Sequence, residues 1–182
     1  MKVFIGLGNP GKEYEQNRHN VGFMFVEYLA KKMQPETEFI LQPRFASRIA
    51  ELSIGGEKYL FAEPQSYMNA SGESFIKLVS FYKVDPESIF VAHDDLDIPL
   101  GKTKVQKGTG PKLHGGLSSI EERFGSANFW RIRIGVENRT PENHIPGEAY
   151  VLQDFSADEK DLLFPTFEKI HEQLLLSKIL SR

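Results

Sequence analysis

Short apolar runs bounded by turn residues alternate in this chain with longer runs whose apolar residues recur at helical spacing. A chain patterned this way can bury its apolar faces only by covering a sheet with helices. Lys2–Leu7 reads as a buried strand and the polar stretch Gly8–His19, with its Gly, Pro and Asn, as a loop. Val21–Met33 reads as a mostly buried helix with Asn20 as its N-cap. Phe45–Ser53 and Lys58–Ala62 flank Gly55-Gly56, a hairpin signal. Phe75, Ile76, Leu78, Val79 and Tyr82 place a helix over Ser71–Tyr82. Ser88–Ala92 is a strand running into His93-Asp94-Asp95, and Lys102–Gln106 and Trp130–Val136 are two more. Between them lie a glycine-bearing loop, Gly108–Gly116, and a short helix, Leu117–Phe124. Ser156 and Glu159 form a capping box that opens a C-terminal helix, in which Pro165 is expected to cause a kink or a split. The reading is a single compact α/β domain over residues 1–182, a twisted mixed β-sheet flanked by helices.

Composition narrows the chemistry. The 182 residues are 40% hydrophobic with 14 Phe, enough for one sizeable core. There is no cysteine, which excludes disulfides, a thiol nucleophile and thiolate-bound metal, and fits a cytoplasmic protein. The N-terminal apolar run is too short for a signal peptide, and no stretch approaches the roughly 18 apolar residues of a membrane span. Net charge is −3, yet between Gly101 and Arg139 eight basic residues face three acids. That island is either a solvated face or a local footprint for phosphate.

Gly6-Leu-Gly8-Asn-Pro-Gly11 matches the dinucleotide fingerprint G-x-G-x-x-G, but no helix-forming apolar face follows the third glycine. Pro10 also biases Asn9 away from helical geometry. The remaining readings are an ordinary surface loop and a shaped loop displaying Asn9, Tyr14 and His19. Of the five histidines, none stands at H-x-x-x-H or H-x-H spacing, so no metal is expected despite the oxygen-rich His93-Asp94-Asp95-Leu-Asp97. No G-x-S-x-G supplies a serine nucleophile. What remains is an imidazole with a carboxylate. If the loop bearing His19 meets the strand end bearing Asp94, the acid can fix the ring's tautomer while its other nitrogen activates a water. Asn9 and Asn69 are neutral amides able to place that water or steady an oxyanion. Strand ends gather Asn9, Asp94 and the loop after Lys104, the position where open α/β sheets build sites.

Those residues carry a resemblance. Gly6-Leu-Gly-Asn-Pro-Gly-Lys-Glu-Tyr-Glu-Gln-Asn-Arg-His-Asn-Val-Gly22 resembles the opening signature of bacterial-type peptidyl-tRNA hydrolases. Pro64-Gln-Ser-Tyr-Met-Asn-Ala-Ser-Gly72, His93-Asp-Asp-Leu-Asp-Ile-Pro-Leu-Gly101 and Phe129-Trp-Arg-Ile-Arg-Ile-Gly135 resemble later blocks in the same order. The resemblance implies a monomer without metal or organic cofactor that hydrolyses the ester joining a peptide to the terminal ribose of tRNA. It implies His19 as base, Asp94 as its orienting partner and Asn9 as a catalytic amide. Tyr14, Asn69, Met68, His114 and Gly115 would bind the substrate. Arg133 would contact tRNA phosphate, joined, on the charge reading, by Lys104 and Lys107.

Two positions depart from that pattern. Gly115 stands where the family has an asparagine, and Gln106 where it has a lysine that pairs with the arginine matching Arg133. In a strand Lys104 shares a face with Gln106 and Lys107 does not, so Lys104 is the better substitute. A catalytically weakened, RNA-binding relative of the same fold is the competing expectation. Retention of His19, Asp94, Asn9 and Asn69 argues for turnover.

Overall fold

The computed structural model describes residues 1–181. Seven strands form one mixed sheet: β1 (Lys2–Gly6), β2 (Ile40–Gln42), β3 (Ser47–Ile54), β4 (Glu57–Pro64), β5 (Ile89–Pro99), β6 (Thr103–Lys107) and β7 (Trp130–Glu137), in the order β2-β3-β4-β1-β5-β7-β6. The central strands β4, β1, β5 and β7 are parallel, and antiparallel β3–β2 and β6 close the two edges. Parallel strands are buried on both faces, and Val3, Phe4 and Ile5 of β1 are fully buried.

Among the described residues five α-helices cover the sheet: α1 (Val21–Met33), α2 (Ser71–Tyr82), α3 (Gly115–Phe124), α4 (Gly147–Val151) and α5 (Ala157–Leu176). On one face Phe25, Val26 and Leu29 of α1 and Phe167, Ile170 and Leu174 of α5 pack on Phe4, Phe61, Phe90 and Ile132. On the other, Phe75 and Leu78 of α2 and Leu117 and Ile120 of α3 pack on Ile5, Leu60 and Val91. Each such side chain contributes about 1.5–3 kcal/mol on burial. The sheet thus holds α1 and α3 over opposite faces at the same end, and the site uses both.

Helices α1 and α2 fall where their periodicity places them. Asn20 occupies the N-cap position of α1 without making the capping bond. Its amide instead brackets Asn9, accepting from the Asn9 N–H and donating to the Asn9 carbonyl, both at 2.9 Å. The capping box of α5 forms as expected, but Pro165 does not split the helix. Buried Phe167, Ile170 and Leu174 hold the turns after the proline on the core, and Thr166 Oγ1 donates to the Leu162 carbonyl at 2.6 Å.

Two expectations about strand ends are corrected. Asp94 is not at the end of a strand, because β5 continues through it to Pro99. His19 can reach it because β1 stops pairing at Gly6, opposite Ala92, leaving β5 with β7 alone as neighbouring strand beyond that point among the described residues. The loop after β6 does not begin near the site either. Antiparallel β6 ends at Lys107 opposite Trp130, the far end of β7. Residues 108–114 reach Asp94 by running back over the sheet.

Candidate active site

The opening loop is shaped by close packing. A Cβ at Gly22 would overlap the backbone of Leu7 and Ala92, so only glycine lets α1 sit this low on β1 and β5. This turns the chain after Asn17 into a three-residue 3-10 turn, Arg18–Asn20, directly above β5. Helix α1 opens ten residues beyond Gly11, so the fingerprint glycines do not aim a helix N-terminus at a phosphate.

His19 stands in that turn. Its Nδ1 lies 2.8 Å from Asp94 Oδ1. His114, the N-cap of α3, reaches the same oxygen through Nε2 at 2.9 Å. His114 Nδ1 accepts from the Leu117 N–H, so its Nε2 bears the ring proton and donates to Asp94. A carboxylate only accepts, so His19 likewise donates through Nδ1, which leaves its Nε2 with a free lone pair. The His19 side chain is 16% exposed and Asp94 only 4%. Burial works to raise the Asp94 pKa, but the two histidines outweigh it and hold the carboxyl well below the usual carboxylate range. Burial works to lower that of His19, but the charge and hydrogen bond of Asp94 prevail and it stands above its ordinary 6.5.

His93 backs this pair. It is fully buried, donates through Nδ1 to the Asp94 carbonyl at 2.7 Å, and lies 5.0 Å from the His114 ring. Burial pushes its pKa down to about 3, so it stays neutral. His19, Asp94 and His114 also bring ligand atoms within 4.8 Å of one another, a spacing at which a metal is conceivable. The hydrogen bonding does not suit one. His114 would have to give up the Nε2 proton that its cap bond requires, and the contacts of 2.8 and 2.9 Å are those of shared protons.

Asn9 is 8% exposed. Its Oδ1 accepts from the Met68 N–H at 2.8 Å, which leaves Nδ2 as the donor on offer. Met68 itself is buried beside Gly116, so it serves the site through its backbone rather than its side chain. Asn69 is exposed, and its Oδ1 fills the space that a side chain at Gly115 would take. Tyr14 meets Tyr67 edge to face at 6.5 Å. Tyr67, 64% exposed, was not singled out by sequence; its position next to Met68-Asn69 was the available signal.

The phosphate candidates are arranged differently. Arg133 is 7% exposed and its Nε donates to Asp95 Oδ2 at 2.6 Å. Gly110, at φ 65°, lies directly against that guanidinium, and any side chain there would collide with it. Arg131 is also buried, donating to the Gly110 carbonyl and to Glu121. Lys107 pairs with Glu87 at the opposite end of the sheet from Asp94. Lys104, cross-strand partner of Arg133, is exposed. Sequence pattern missed the burial of the two arginines because it depends on the path of the loop above them.

Residues 3–180 match the family model for peptidyl-tRNA hydrolase. A peptidyl-tRNA hydrolase of Rickettsia bellii (strain RML369-C) is 44% identical over 176 residues, spanning 97% of this chain and 92% of that relative. One from Neisseria meningitidis serogroup C is 39% identical, spanning 88% and 81%. The crystal structure of peptidyl-tRNA hydrolase from Acinetobacter baumannii aligns with a TM-score of 0.82 at 35% identity, over 92% of this chain and 83% of that one. With the match running through nearly every element described above, the chain belongs to the peptidyl-tRNA hydrolase family.

Proposed function

We propose that this protein hydrolyses the ester between a peptide and the 3′-terminal ribose of tRNA, with His19 as general base. The observation that carries this is the His19–Asp94 contact at 2.8 Å on a ring that is 16% exposed, which leaves Nε2 of the neutral imidazole as the base. In this reading Nε2 takes a proton from water as the water oxygen attacks the ester carbonyl carbon. The tetrahedral oxyanion collapses by breaking the bond to the ribose oxygen, and His19 returns its proton to that leaving oxygen. The products are the peptide acid and tRNA with a free hydroxyl. Asp94 keeps the ring in the Nδ1–H tautomer and stabilises the imidazolium between the two transfers. Asn9, clamped by Asn20 and Met68, presents Nδ2 to the water or the oxyanion. Tyr14, Asn69, Gly115 and the rim at His114 receive the terminal residues of the substrate.

Among the exposed cations Lys104 suits a phosphate contact, and Arg133, held to Asp95 through Nε alone, keeps its two Nη groups to offer one. The protein works as a one-domain monomer in the cytoplasm, where tRNA is charged and recycled. An intact base and orienting acid favour turnover over RNA binding alone. Purified protein is tested on N-blocked aminoacyl-tRNA and on free aminoacyl-tRNA, following ester loss. The blocked substrate is expected to be cleaved and the free one largely spared. Binding of the blocked substrate without cleavage would instead favour the RNA-binding relative.

A further inference from the structure

The residue before His19 is a buried cation. Arg18 is 6% exposed, and its guanidinium stacks over the Tyr150 ring at 4.1 Å. Its Nη2 donates to Glu159 Oε2 at 2.6 Å, and its Nη1 to the carbonyls of Tyr150 and Gln153 at 3.3 and 3.2 Å. The backbone joins in: the Arg18 N–H donates to the Gln153 carbonyl and the Phe155 N–H to the Gln16 carbonyl. Asn17 Nδ2 adds a 2.6 Å bond to Asp154. Glu159 is the hub on the other side. It closes the capping box at Ser156 and accepts from Asn138 Nδ2 at 3.1 Å.

The segment from α4 to the start of α5 therefore grips the turn that carries His19, from more than 130 residues away in sequence. A buried ion pair adds little stability over a well-packed apolar pair. What a fork with three fixed acceptors does provide is orientation. A three-residue turn has no slack, so rotation at Arg18 moves the His19 ring. We propose that Arg18 and Glu159 are positioning residues, setting the approach of His19 Nδ1 to Asp94 Oδ1. This rests on the reading of His19 as the base. The groups facing His19 are Asp94 from β5 and His114 from the cap of α3, with Arg18 directed away into the clamp.

The test is kcat, KM and the pH midpoint of kcat/KM for Arg18→Lys, Glu159→Gln and Glu159→Ala on N-blocked aminoacyl-tRNA. Loss of orientation should lower kcat about tenfold to a hundredfold, with KM little changed. The midpoint should fall toward that of a free imidazole as the Asp94 contact loosens. Glu159→Gln, which still accepts from Arg18, should lose less than Glu159→Ala and serves if the latter does not fold. Leu174→Ala, which loosens α5 far from Glu159, should lower Tm with kcat and midpoint unchanged. The proposal is overturned if Arg18→Lys and Glu159→Gln lower Tm alone, as Leu174→Ala does. A fully active His19→Ala in the same assay would overturn the reading of the base instead.

Discussion

Asp94 and Asp95 are neighbours on β5, yet they project to opposite faces of the sheet and lead different lives. Asp94 meets two imidazoles, one of them at the surface with a free nitrogen. Asp95 meets the Arg133 guanidinium, which lies against Gly110. The first carboxylate has a partner that changes charge near neutral pH; the second has one that never does. Identical side chains one residue apart thus give an acid–imidazole pair, the proton-transfer device of the proposed mechanism, and an acid–guanidinium pair, and the partner decides which.

The largest effect should come from Asp94→Asn. The amide cannot stabilise an imidazolium or enforce the tautomer, and kcat/KM should fall by about 10²–10⁴ with Tm close to wild type. Retained activity would sink the distinction between the two acids. Asp95→Asn should do the reverse. It leaves a buried guanidinium without its counter-charge, a loss of about 3–5 kcal/mol seen in denaturant unfolding, while the pH midpoint of the enzyme that remains folded stays put. A moved midpoint would mean that the two sites are one.

Glu63 extends the comparison to a third partner set. On β4 it is buried beside Glu27 with Arg48 at 2.9 Å. Burial foremost, then Glu27, push its pKa from 4.5 to about 8. The folded state therefore holds this proton where the unfolded chain has lost it. The resulting stability is full below the unfolded pKa and is lost as pH rises through about 8. Glu63→Gln stays neutral, so its Tm relative to wild type should climb from acid to alkaline pH. A constant offset would show that Glu63 ionises normally. The smallest effect belongs to Gly115→Asn, which restores the side chain expected from the family resemblance. Exposed Asn69 can swing aside to admit it, and kcat/KM should be equal or somewhat raised. A collapse would mean that the loop before α3 is built for glycine here.

Much of this was legible in the sequence because local physics decides it. The spacing of α2, the Ser156–Glu159 cap and the alternation of Trp130–Val136 are read within one turn or one strand. The pairing of His19 with Asp94, conditional on their segments meeting and implied by the family resemblance, is present as a contact. Legibility stops where distant segments meet. Asn20 looked like a cap, but its amide is claimed by Asn9. Arg133 reads as a phosphate contact, but Asp95 claims its Nε and a returning loop lies against it. Pro165 looked like a break, but core packing on its C-terminal side carries the helix through. The three-residue edge strand β2, with Ile40 and Leu41 exposed, has no periodicity to read.

On the proposed mechanism, Asp94 makes His19 a base whose pKa lies above that of a free imidazole. The pH dependence of kcat/KM tests it most directly. Activity should rise through a single midpoint above 6.5, and the rise should vanish in His19→Ala. A flat profile across the range in which imidazoles titrate, about pH 5 to 8, would contradict it.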